Sequence, residues 1–379
     1  MALVLNDEQR MVKDSADGFF AEHGPVSQLR KLRDTKDPDG FDRGLWAKMA
    51  EMGFAGVAIP EQFGGAGLGM VAAGLIQEAI GRNLSISPFL SSAILSATAI
   101  AKGGTEEQKA ALLPKMAAAE LIVALASDEA ARHQPNQVAT KAEASGNGFK
   151  LTGAKPFVLD GHVADKLIVA ARTSGADSDI AGITLFLVDP KAAGVSIDRR
   201  WMVDSRNAAE VKLEGVQVDG ADMLGGLGEG FAILEAALNA GRACLAAEML
   251  GVSAQSFDVT VDYLKQREQF GVKIGSFQAL QHRAAHLFCE VELARSVTLK
   301  ALTALDASDE RAPFFVALAK AKAGEVCKLA TNEAVQMHGG IGMTDEYDIG
   351  FYMKRARAAA ETFGDGAFHG DRLALMLNY

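Results

Sequence analysis

Ala209-Glu210-Val211-Lys212-Leu213-Glu214-Gly215-Val216-Gln217-Val218 alternates apolar and polar side chains almost without a break. A period of two sends the two sets to opposite faces of a pleated strand. Three shorter runs precede it. Gly148-Phe149-Lys150-Leu151-Thr152-Gly153 alternates, while residues 166–171 and 183–188 are apolar and rich in β-branched types. No helix-length segment separates them. Parallel strands need a crossover of a dozen residues or more, so a small antiparallel barrel or sandwich is expected over 121–226.

Helical periodicity lies on both sides of this module. Asn6 and Gln9 form a capping box for a helix starting near Asp7, and Trp46, Met49, Met52 and Phe54 recur at helical spacing. After a break at Pro60-Glu61-Gln62-Phe63-Gly64-Gly65-Ala66-Gly67-Leu68-Gly69, helices are expected over 70–82, 88–102 and 105–113, the last capped by Thr105 with Gln108. Downstream, three apolar stripes follow: Phe231, Leu234, Leu238, Leu245 and Val252; then Phe277, Leu280, Ala284, Leu287 and Val291; then Phe315, Leu318, Ala321, Val326 and Leu329. The fold class is therefore mostly α with a central β-domain. The expected division is a helical domain over 1–120, a β-barrel over 121–228 and a helical bundle over 229–379.

The 379 residues are 49% apolar and 23% charged, enough for substantial cores. With 38 basic against 48 acidic residues the formal charge is −10, which excludes a general nucleic-acid binder. No apolar run approaches the ~18 residues that span a bilayer. The first ten residues lack a basic-then-apolar leader, and a soluble, cytoplasmic chain is expected. Cys244, Cys289 and Cys327 read as buried small hydrophobes. His282 and His286 stand four apart, but Arg283-Ala284-Ala285 lies between them and no third ligand is near. They read as a satisfied structural pair, with no metal site expected. The glycine clusters at 64–69, 225–230 and 339–342 lack GxGxxG spacing after a strand, which argues against a Rossmann site.

Two stretches carry the most information: Tyr263-Leu264-Lys265-Gln266-Arg267-Glu268-Gln269-Phe270-Gly271-Val272-Lys273-Ile274-Gly275-Ser276-Phe277-Gln278, and Ala334-Val335-Gln336-Met337-His338-Gly339-Gly340-Ile341-Gly342-Met343-Thr344-Asp345-Glu346-Tyr347. With them the sequence resembles the acyl-CoA dehydrogenases over nearly its whole length. The loop at 60–67, the turn Gly153-Ala154-Lys155-Pro156-Phe157 and the run Phe186-Leu187-Val188 also match that family's pattern. The resemblance implies a three-domain fold of helices, antiparallel β-barrel and four-helix bundle, with FAD as cofactor and α,β-dehydrogenation of an acyl-CoA thioester as reaction. It implies that Arg267 meets the FAD pyrophosphate, with Gln269, Phe270 and Gln278 along the same stretch, and that Gln336, Gly339 and Gly340 receive the adenine end. These contacts cross between subunits, so an oligomer is implied, usually a tetramer. Ser127, in Ser127-Asp128-Glu129, and Phe157 match flavin-ring positions, although Leu159 replaces a hydroxyl-bearing residue. The implied electron acceptor is an electron-transfer flavoprotein, or oxygen in an oxidase.

The reaction needs a carboxylate to take the α-proton. Counting from Arg355-Ala356-Arg357, the family's usual Glu falls on Phe363. The other known place, just before the Arg matching Arg242, is Gly241. Asp365, in the glycine-flanked Gly364-Asp365-Gly366, ranks first as a substitute base. Glu248 ranks second, seven residues past Gly241 and roughly 10 Å along the helix axis. Arg242 is a candidate substrate-side or structural cation. The Phe-Gly-Asp variant resembles a bacterial subgroup that includes chains named as small subunits of pimeloyl-CoA dehydrogenase, and heterotetrameric dehydrogenases in which one subunit lacks the base. The resemblance thus leaves two readings: a dehydrogenase with a relocated carboxylate, or a partner subunit that completes the FAD site of a base-bearing homologue.

Overall fold

The computed structural model describes residues 3–379. The chain forms two compact units, one from residues up to 34, 70–86 and 242–379, the other from residues 35–69 and 87–241.

The second unit is built on an eight-stranded sheet. Its strands are β1 (Val123–Ala126), β2 (Lys141–Ser145), β3 (Gly148–Leu159), β4 (Lys166–Arg172), β5 (Ile183–Val188), β6 (Val195–Trp201), β7 (Asn207–Asp219) and β8 (Met223–Leu224). They lie in the order β6-β7-β3-β2-β4-β5-β8, and β1 pairs with β4 off that path. Most neighbours are antiparallel, as the short strands require. The β1–β4 pair is parallel, with Val123 opposite Lys166, and β2 meets β4 in parallel at Lys141 and Arg172. β4 and β5 are buried along almost their whole length, which explains their unbroken apolar runs, whereas β7 alternates. Leu151, Val158, Leu167, Val169, Phe186, Val211 and Leu213 belong to one core cluster.

In chain order the helices are α1 (Asp7–His23), α2 (Val26–Asp34), α3 (Arg43–Glu51), α4 (Gly69–Asn83), α5 (Ala97–Gly103), α6 (Glu106–Ala117), α7 (Gly230–Gln266), α8 (Gln278–Asp306), α9 (Ala312–His338), α10 (Ile349–Glu361) and α11 (Gly366–Met376). α1 starts at the expected Asn6–Gln9 capping box and α6 at the Thr105–Gln108 box. The continuous helix expected over 88–102 is corrected: Phe89–Ser96 is π-helical and only Ala97–Gly103 is α. Three buried serines have partners there. Ser96 Oγ donates to the Ser91 carbonyl, Ser91 Oγ donates to Asp160, and Ser92 Oγ accepts from the Val123 N–H. Side chains that offer the backbone other partners weaken a regular α-helix.

In the first unit α7, α8 and α9 share a core of Leu250, Ala254, Leu287, Val291, Ala294, Val326 and Ala330. α4 and α7 approach closely enough that a Cβ at Gly81 would sit 2.1 Å from the Glu248 carbonyl oxygen, and one at Gly251 would sit 2.0 Å from that of Glu78. The expectation for the cysteines is corrected at one position. Cys244 and Cys327 are buried, but Cys289 is exposed on α8. His282 and His286, expected as a satisfied structural pair, lie on the exposed face of α8, where His286 Nε2 stands 3.8 Å from Glu290. Among the described residues no group of His, Cys, Asp and Glu is placed to hold a metal ion, and no helix is long and apolar enough to cross a membrane.

Candidate functional site

The residues singled out for FAD fall on both units. In the first, the chain leaves α7 into a small hairpin, with β9 (Glu268–Gln269) paired to β10 (Val272–Lys273). Glu268 does not take Arg267 as its partner; it pairs with Lys273 at 2.6 Å. Arg267 is exposed and has no acidic partner among the described residues. Phe270 at the tip is 92% exposed with φ +56°, and Phe277 beside it is 38% exposed. Gln278 opens α8, and Gln269 Nε2 donates to the Glu268 carbonyl. An unpaired guanidinium beside two solvent-facing aromatic rings is an unfinished surface.

The glycine turn lies next to this stretch. Tyr263, on the last turn of α7, stacks on His338 with ring centroids 4.4 Å apart, and Tyr347 closes on the same imidazole at 5.0 Å. His338 Nδ1 donates to the Ala334 carbonyl at 2.7 Å, which leaves Nε2 as an acceptor that is buried and unpartnered. Burial lowers the His338 pKa from its ordinary value. Gln336 is exposed, and a Cβ added at Gly339 or Gly340 would meet nothing within 4 Å. Gly339 has φ +65°, a backbone that disfavours a side chain. A free cation, an orphaned acceptor and a bare glycine pair fit the phosphate and base ends of a dinucleotide.

In the second unit Ser127 follows β1 and is 4% exposed, and Phe157 is half-buried on β3. Sequence reasoning passed over what fixes them. Lys155 is completely buried, and its Nζ donates to the Ser127 carbonyl at 3.2 Å and to Glu129 at 2.5 Å. Glu129 also accepts from the N–H groups of Ala139 and Thr140. Burial works against the Glu129 charge, yet Lys155 and these hydrogen bonds hold its carboxyl below the usual range. Asp128 meets His133 Nδ1 with both oxygens at 2.9 Å. A signal for Lys155 was present in the sequence: it shares the inward parity of Leu151 on β3.

The turn at which the sequence resemblance implies a base is 361–366. Phe363 is 7% exposed with φ +58°, and Gly364 follows at φ +105°. Three buried donors hold the turn's carbonyls. Arg242 Nε reaches Phe363 O at 3.2 Å, Lys320 Nζ reaches Ala360 O at 2.9 Å and Gly364 O at 2.8 Å, and His369 Nε2 lies 3.2 Å from Phe363 O. Arg242 is 0% exposed, so the geometry makes it a holder of backbone. Asp365 is half-buried and caps α11, accepting the Phe368 N–H at 2.8 Å. Glu248 is 0% exposed. It meets the Arg355 guanidinium at 2.7 and 3.0 Å and accepts from Gln77 Nε2 at 2.7 Å. Gly241, where the resemblance implies an alternative base position, faces Leu95: a Cβ there would lie 2.4 Å from Leu95 Cδ2.

Comparison with known proteins gives the family. Family models for the acyl-CoA dehydrogenase N-terminal, middle and C-terminal domains match residues 6–120, 124–216 and 228–375. The chain is 34% identical to a 3-(aryl)acrylate reductase of Clostridium sporogenes over 87% of its length and 88% of the relative's. Among solved structures, a variant of the Tcur3481-Tcur3483 steroid ACAD is 31% identical with a TM-score of 0.88, covering 98% of each chain. The ChsE4-ChsE5 complex of Mycobacterium tuberculosis is 26% identical with a TM-score of 0.89, covering 100% of this chain and 99% of that one. The chain belongs to the acyl-CoA dehydrogenase family, whose members are FAD-dependent oxidoreductases.

Proposed function

We propose that this chain is a FAD-binding subunit of an acyl-CoA dehydrogenase that has no proton acceptor of its own and works beside a base-bearing homologue. The observation that carries this reading is Phe363, buried at the position where the sequence resemblance implies the family's Glu. Glu248 is an unsuitable substitute, because both its oxygens are taken by Arg355 and Gln77. Removing a proton at that site would first require breaking a buried ion pair.

In this reading Arg267, Gln269, Phe270 and Gln278 bind the pyrophosphate side of FAD, and Gln336, Gly339 and Gly340 its adenine side. Ser127 and Phe157 border the ring. Bound FAD supplies the acceptor for the hydride that leaves the β-carbon as the 2-enoyl thioester forms. This chain's part is to bind and orient: Arg267 offers forked donors to phosphate oxygens, and the Lys155–Glu129 pair fixes the Ser127 backbone. The exposed Phe270 hairpin supports an assembly of subunits. The complex named among the similar structures supports a heteromeric one. The acceptor in this reading is an electron-transfer flavoprotein. The domain divisions proposed are near residues 120 and 228.

A second reading keeps the chemistry in this chain with Asp365 as base, favoured by its half-buried place on the same turn. Co-expression with a base-bearing homologue, followed by gel filtration and native mass spectrometry, separates the two. The first reading expects a stable hetero-oligomer whose activity is unchanged by Asp365→Asn. An active homotetramer that loses activity in Asp365→Asn contradicts it.

A further inference from the structure

The first unit holds a cavity of about 500 Å³ lined by none of the residues assigned to FAD. That volume lies within the range of small-molecule sites. Its walls are apolar, with Leu75 of α4, Leu250 of α7 and Leu299 and Leu302 of α8, closed by Leu3 and Leu5 ahead of α1. Four cationic side chains line it, Arg10, Lys13, Arg82 and Arg295, against the carboxylates of Glu78 and Glu292. Each cation also has a carboxylate beside it: Arg10 meets Asp7, Lys13 meets Asp17, Arg82 meets Asp258, and Arg295 meets Glu78 and Glu292.

Thr298 marks the wall as unfinished. It is 2% exposed, and its Oγ1 is buried with no hydrogen-bond partner among the described residues. Thr260, Thr303, Thr331 and Thr362 each return their hydroxyl to the carbonyl four residues earlier. Thr298 does not, although it too lies within a helix. A buried hydroxyl without a partner costs about 1–3 kcal/mol. The cations differ in how firmly they are held. Arg295 is committed to buried Glu78 at 2.7 Å, whereas among the described residues Arg10 pairs only with Asp7, whose side chain is 96% exposed. A solvated pair of that kind contributes about 0–1 kcal/mol, so Arg10 is open to a second anion.

We infer that this cavity binds an oxygenated medium-chain carboxylic acid. The carboxylate meets Arg10 and Lys13, the chain lies among the leucines, and a neutral oxygen further along pairs with the Thr298 hydroxyl. At about 30 Å³ per heavy atom, the volume takes roughly 17 such atoms, which accommodates an acid of about ten carbons.

The test is calorimetric titration of the purified full-length protein with 10-hydroxydecanoate, decanoate and 1,10-decanediol. The hydroxy acid is expected to bind about fivefold more tightly than decanoate, the equivalent of one hydrogen bond, and the diol more weakly than either acid. Thr298→Val should erase the difference between the two acids. The double variant Arg10→Ala/Lys13→Ala, which also removes the part-buried Lys13–Asp17 pair, should weaken both acids about tenfold. The inference is overturned if none of the three ligands binds, if the diol binds as well as the acids, or if binding survives both Arg10→Ala/Lys13→Ala and the cavity-filling Leu299→Trp unchanged.

Discussion

Lys320 shows how this chain holds its central turn. It is 2% exposed, and its Nζ bridges the carbonyls of Ala360 and Gly364. Burial first, and then the nearby charge of Arg242, push its pKa from 10.5 to about 7. A neutral amine can still donate both hydrogen bonds, so the clamp survives loss of the proton. In the unfolded chain the lysine keeps its proton to near 10.5, so between pH 7 and 10.5 the unfolded state binds more protons. Stability contributed by this group therefore rises with pH across that window, by about 1.4 kcal/mol per unit at most. Urea denaturation at several pH values should show that rise in the native protein and a flatter profile in Lys320→Met. Glu248 illustrates why residue roles were only partly legible. Its spacing from Gly241 was visible in the sequence. Its neutralisation by Arg355, 107 residues away, has no local signature.

At the scale of elements, local chemistry was readable wherever it was local. The caps at Asn6 and Thr105, the alternation of β7 and the apolar runs of β4 and β5 all follow from neighbouring residues. What escaped depends on distant partners. The parallel β1–β4 pair joins strands 43 residues apart, and the π-helical turns of Phe89–Ser96 answer to Asp160 and Val123. The α4–α7 crossing is another case. Each helix reads as apolar, but only the structure shows that Gly81 and Gly251 let the backbones touch. Gly251→Ala would place a methyl 2.0 Å from the Glu78 carbonyl oxygen, and backbone has to move to admit it. The helix-propensity gain of alanine, about 1 kcal/mol, is outweighed by an overpacking loss of about 1–3 kcal/mol. Chemical denaturation should therefore find the variant less stable. A gain in stability would mean that the two helices are not in close contact.

At the scale of the whole molecule, the proposed function makes the exposed hairpin and the glycine turn contributions to an assembly. Among the described residues Phe270 is 92% exposed and Arg267 has no acid beside it, a surface that the proposed assembly covers. Arg267→Ala should leave folding intact and weaken FAD retention about 10- to 100-fold, the loss of charge-assisted hydrogen bonds worth about 1.5–3 kcal/mol. Flavin release on dilution, followed by fluorescence, measures it. Affinity equal to that of the native protein would remove Arg267 from the cofactor.

The division of labour proposed for this chain is tested most directly by the visible absorbance of its flavin when an acyl-CoA panel is added. The protein purified alone should be yellow and keep its colour with every thioester, and the co-purified complex with a base-bearing homologue should bleach. Bleaching of the chain by itself, at the rate of the complex, would contradict the account.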